Sequence, residues 1–136
     1  MEFISSEEFL KQPKEVQEVF IKWWKPSIGD LFCDNSVELK CILGSNIAEW
    51  LNTDKVYKKY FPLFTEGQLR RFIENKTGFH LEMSSDLETG IYIADFYKNN
   101  KTNRFGRKMI RTQETDLLQA YWKVALEMAK ESVNND

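Results

Sequence analysis

The side chains best suited to nucleophilic or soft-metal chemistry are few in this sequence: a single histidine, His80, and two cysteines, Cys33 and Cys41. A structural zinc site takes four ligands at characteristic spacings, and these three stand at unrelated intervals. A lone histidine in a strand reads as a surface or core residue rather than a catalyst. No serine lies in a nucleophile-elbow context, and the six glycines are scattered rather than gathered into a phosphate-cradling loop. Carboxylates are plentiful, but no pair falls where burial can be argued, so general acid–base catalysis has no support. The residues predict a protein without catalytic machinery, metal or cofactor.

Two other features are suited to binding. The stretch 98–111 holds six basic residues, Lys98, Lys101, Arg104, Arg107, Lys108 and Arg111, and no acid. A polar turn with that charge can contact the phosphates of a nucleic acid or nucleotide, and Phe105 can stack on a base. Its Asn and Gly residues equally suit a solvated hairpin tip. The second feature is a surplus of large aromatics at Trp23-Trp24, Trp50, Tyr57, Tyr60-Phe61 and Phe64. One helical stripe cannot bury both members of Trp23-Trp24. Core filling is the first reading of this surplus; Trp24 and Trp50 are the candidates for a groove or partner surface.

The elements that must position these residues follow from periodicity and caps. Ser5 with Glu8 forms a capping-box pattern for a short first helix. Pro13 suits the first turn of a second, with Val16, Val19, Phe20 and Trp23 on one stripe, ended by Lys25-Pro26. Leu31–Cys33, a turn at 34–36 and Val37–Leu43 predict a hairpin, across which Cys33 and Cys41 can face each other. Residues 44–64 read as an irregular aromatic connection, with Ser45 capping a short helix through Ile47 and Trp50-Leu51.

Thr65 with Gln68 is a second capping box, followed by the stripe Leu69, Phe72 and Ile73 and closed by Gly78. Strands are expected at Phe79–Met83, Ile91–Tyr97 and Lys108–Arg111, the middle one central because it is apolar on nearly both faces. A last helix over about 115–133 carries Leu118, Tyr121, Trp122, Ala125, Met128 and Ala129 at helical spacing. Runs of strands segregated from flanking helices predict an α+β fold.

With 136 residues, 42% hydrophobic and 14% aromatic, the chain has the material for a real core. No repeat, low-complexity tract or Pro/Gly/Ser-rich linker divides it, so one domain over 1–136 is expected. Apolar runs are too short to span a bilayer, and the opening Met-Glu-Phe-Ile-Ser-Ser-Glu-Glu lacks a secretory h-region. With two cysteines only, this predicts a cytoplasmic protein with free thiols and no membrane partner. Net charge is −2, but residues 55–111 hold twelve Lys/Arg against six Asp/Glu, between two acidic flanks. Such a middle either pairs with the acidic ends on folding or meets an anion.

Three blocks resemble small proteins encoded by bacteriophages and prophages of Firmicutes, Clostridium-like hosts especially. They are Glu8–Leu31 around Pro13-Lys14-Glu15-Val16 and Trp23-Trp24-Lys25-Pro26, Pro62–Gly78 around Phe64-Thr65-Glu66-Gly67-Gln68-Leu69, and Asp116–Ala125. The resemblance covers about half the chain and brings no catalytic residue to carry over. It implies a non-enzymatic accessory protein that acts by binding a host protein or ribonucleoprotein: an inhibitor of a defence system such as a CRISPR effector. The alternative it leaves is a sponge for a small nucleotide immune signal, with aromatics stacking the base and Lys/Arg holding the phosphates.

Overall fold

A computed structural model describes residues 2–34, 38–53, 55–98 and 108–134, without the side chains of Tyr57, Lys58 and Lys108. Six helices and two antiparallel three-stranded sheets occur among them, an α+β fold. They divide into two compact units, Phe3–Phe64 and Thr65–Asn135. The division falls at the N-cap of a helix, with no linker to mark it in the composition.

The first unit opens with α1 (Ser6–Leu10), where the Ser5 hydroxyl accepts the Glu8 N–H at 3.2 Å. Helix α2 (Lys14–Trp23) starts directly after Pro13. It buries Val16, Gln17, Phe20 and Ile21 rather than the stripe through Val19 and Trp23. The inward Gln17 is tolerated because its amide donates to the carbonyls of Leu10 and Gln12, at 3.3 and 2.8 Å. Strands β1 (Leu31–Asp34) and β2 (Leu39–Cys41) form the expected hairpin, with the second strand shorter than its pattern suggested.

Helix α3 (Ser45–Asn52) has extended Gly44 at its N-cap, so Ser45 is the first helical residue and not the cap. A short α4 (Lys55–Lys58) leads to β3 (Tyr60–Pro62), a strand within what the sequence presented as irregular. It completes the order β2-β1-β3. Both faces of this sheet are covered. Phe9 of α1 stacks flat on Phe61, at 4.8 Å between centroids and 1° between planes. The opposite face carries Phe32 and Tyr60, on which Trp24 and Trp50 rest.

In the second unit α5 (Glu66–Thr77) is capped at both ends as its sequence predicts. Thr65 and Gln68 exchange side chain and backbone in a capping box, and Gly78 takes φ 72° while its N–H bonds the Glu74 carbonyl. Strands β4 (His80–Ser85), β5 (Tyr92–Tyr97) and β6 (Lys108–Arg111) pair in that order, with β5 central. Helix α6 (Leu117–Asn134) packs against α5 and β5. It buries all six residues of its expected stripe, and Ala120 and Val124 besides.

Candidate functional site

Among the described residues no three His, Cys, Asp or Glu side chains are grouped to hold a metal ion. Cys33 is buried in β1, where burial first and the Asp34 carboxylate second push its thiol above the ordinary range. An activated nucleophile needs the reverse shift. Cys41 is exposed on β2, opposite Leu31 rather than Cys33, and both thiols are free.

His80 begins β4 opposite Tyr97, 6.1 Å between ring centroids. Its Nδ1 lies 3.9 Å from the carboxylate of Glu74. That carboxylate accepts the Leu81 N–H at 2.9 Å and stands 3.7 Å from Arg70 Nε, while the Arg70 guanidinium donates to the Leu81 carbonyl. Two side chains on one face of α5 thus fasten both backbone groups of Leu81. The cluster anchors a strand to a helix.

Of the basic stretch, Lys101, Arg104, Phe105 and Arg107 lie outside the described residues. Lys98 is exposed just after β5, and the backbone of Lys108 starts β6 opposite Phe96. Arg111 is exposed and stands 3.9 Å from Asp86 in the β4–β5 turn. The N–H groups of Glu88 and Thr89 hold that carboxyl below the usual carboxylate range, with a smaller contribution from Arg111. Summed over the ranges of the two units, the sequence charges nearly balance. Residues 65–135 combine eleven Lys/Arg with ten Asp/Glu, and residues 3–64 combine eight with nine.

The two tryptophan candidates part company. Trp24 is 1% exposed and belongs to the core, against the expectation that it lines a partner surface. The stripe argument assumed that Trp23 and Trp24 share a helix. In fact α2 ends at Trp23, and Trp24 has extended backbone, φ −63° and ψ 124°. The two rings therefore leave the chain in different directions. Trp23, half-buried, meets Phe64 edge-on at 6.0 Å, while Trp24 packs on Phe32 at 6.3 Å. The Trp24 indole also donates from Nε1 to the Asp30 carboxylate at 3.0 Å. Asp30 accepts the Ser27 N–H as well, so Trp24 secures the turn that feeds β1.

Trp50 is 46% exposed. It ends an aromatic series that begins in the core, with Phe32 to Tyr60 at 5.7 Å and Tyr60 to Trp50 at 5.4 Å, both edge-on. Helix α3 buries only Leu51, although Ile47 lies one turn earlier on the side of Trp50. Ile47 is 37% exposed and Leu43, just before the helix, 84%. Ile47 and Trp50 stand at i and i+3 on α3, one helical turn apart, while Leu43 precedes the extended N-cap Gly44 and lies outside the helical spacing. Leu43 and Ile47 are the exposed residues the aromatic count could not find. For Ile47 the signal was available in that spacing, but Ile47, Trp50 and Leu51 fit one inward face equally well.

No protein-family model, curated protein or solved structure matches the chain.

Proposed function

We propose that this is a non-enzymatic, phage-type accessory protein that binds a host protein and so inhibits a defence system, a CRISPR effector being the kind of target in view. The observation that carries the reading is the outward face of α3, where Ile47 and Trp50, one turn apart, form a short apolar stripe open to solvent, with Leu43 exposed just before the helix. Binding hot spots concentrate on tryptophan held rigidly among apolar neighbours, and such stripes are what a helix offers a protein groove. The resemblance of three sequence blocks to phage and prophage proteins supplies the biological setting.

Two observations support a protein partner over a phosphate-bearing one: the sequence charges of residues 3–64 and of residues 65–135 nearly cancel, and Arg111 stands beside Asp86. Truncating Trp50 is the test: Trp50→Ala should fold and lose the effect on host defence.

A further inference from the structure

The second unit holds an open concavity of about 300 Å³ lined by Lys76 and Thr77 of α5, Phe79, Phe96 of β5, and Met128, Glu131 and Ser132 of α6. Its floor is apolar. Phe96 and Met128 are buried by the packing of α6 on the sheet, and half-buried Phe79 forms one wall. Its rim is polar and carries both signs, an exposed lysine from one helix and an exposed glutamate from the other.

Each side of this rim constrains the ligand. Thr77 is already committed, since its hydroxyl donates to the Ile73 carbonyl and accepts the Phe79 N–H. The Lys76 ammonium stands 5.9 Å from the centre of the Phe72 ring, a cation–π distance that leaves other N–H groups for a second partner. A carboxylate has about four acceptor sites, so Glu131 can take a ligand ammonium alongside an existing contact. A nucleotide would set its phosphates against the Glu131 charge with one lysine to offset it. An amine alone would meet Lys76 in the same way.

Size narrows the choice further. Ligand pockets span roughly 300–1,000 Å³, and this one lies at the lower limit. We infer that the concavity is a binding site for a zwitterion of amino-acid size with an aromatic or branched apolar side chain. The side chain lies on Phe79, Phe96 and Met128, the carboxylate meets Lys76, and the ammonium meets Glu131. The inference does not rest on the α3 surface.

The test is a titration of the protein, labelled at its methionine methyl groups, with L-phenylalanine and with L-leucine. Of the described methionines, Met83, Met109 and Met128, only Met128 lines the site. Its methyl resonance should move saturably while those of Met83 and Met109 stay in place. Phenylacetate and phenethylamine, which each keep one charge, should bind about tenfold more weakly or worse, the loss of one charge-assisted hydrogen bond. Lys76→Met and Glu131→Gln change exposed side chains and should weaken L-phenylalanine to a similar degree. An unmoved Met128 methyl at millimolar amino acid would overturn the proposal. So would equal affinity for the singly charged analogues, or variants that bind as the parent does.

Discussion

Trp50 stands edge-on to Tyr60, 5.4 Å between ring centroids, and through that contact an exposed indole is braced by the aromatic face of the β2-β1-β3 sheet. The consequence is pre-organisation. A large side chain free in solution loses rotamer entropy when a partner immobilises it, at a cost of about 0.5–1.5 kcal/mol. Trp50 has met part of that cost in folding. Leu51, its chain neighbour, is fully buried and fixes the helix beneath it.

In the second unit the core rests on α6. Trp122 is 4% exposed and lies on the buried face with Leu118, Ala125 and Ala129. Trp122→Ala should cost about 3–5 kcal/mol, because the surrounding side chains cannot collapse into so large a void. In thermal unfolding this corresponds to a loss of about 10 °C or more. A midpoint within a degree or two of the parent would contradict the burial of this ring.

The cysteines should differ sharply in reactivity. Cys41 is exposed and Cys33 buried, with its thiol raised by desolvation. A thiol reagent should therefore titrate one cysteine quickly in the native protein and both after denaturation. The linkage has a definite sign. Folded Cys33 holds its proton more tightly than unfolded Cys33, so its contribution to stability is full below the unfolded thiol value. It is lost as pH rises through the folded one. Cys33→Ala should flatten that alkaline loss. Equal rates for both thiols would contradict the assignment, and recovery of neither would require a Cys33–Cys41 bridge.

Local signals in the sequence were sufficient for the helices of the second unit. The Thr65–Gln68 box, Gly78 and the apolar spacing of α6 each act within a turn or two of helix, and each is found as read. The central place of β5 was legible from its two apolar faces. Strand β3 was not. It has three residues, and what makes it a strand is pairing with β1, nearly thirty positions away. Pro62 sits in an edge strand, where its missing N–H is tolerated. The rotated face of α2 escaped for a related reason, because only the carbonyls of Leu10 and Gln12 make Gln17 an inward residue.

The same limit applied to the candidate site. Trp50 was a candidate by aromatic count alone, and its neighbours were not, since one stretch of α3 fits either face. Trp24 was misplaced because a one-residue difference in where α2 ends decides which way its ring points.

Neutralising the basic stretch separates the two ligand classes. With Lys101, Arg104, Arg107 and Lys108 replaced by Gln or Ser, stability should change by no more than about 0.5 kcal/mol per site. The effect on host defence should persist, because the account places recognition on α3. Contradiction would come from a folded variant that loses both activity and a salt-sensitive affinity for nucleic acid, since phosphate contacts release counterions. Phe105→Ala would then weaken that binding by about 1–3 kcal/mol without altering the salt slope.

The most direct measurement is suppression of defence by Trp50→Ala, in a host that carries the targeted system and is challenged with phage. Half-exposed and edge-on to Tyr60, Trp50 should lose about 0.5–1.5 kcal/mol from that ring contact when truncated, in addition to the burial of roughly half its side chain. Near-ultraviolet circular dichroism checks that the variant is folded. Loss of a hot-spot tryptophan weakens binding by about 2 kcal/mol or more, roughly thirtyfold. The folded variant should no longer protect the phage and should not co-purify a defence effector, whereas the parent should do both. A folded Trp50→Ala that protects as fully as the parent would show that the α3 face is not the recognition surface.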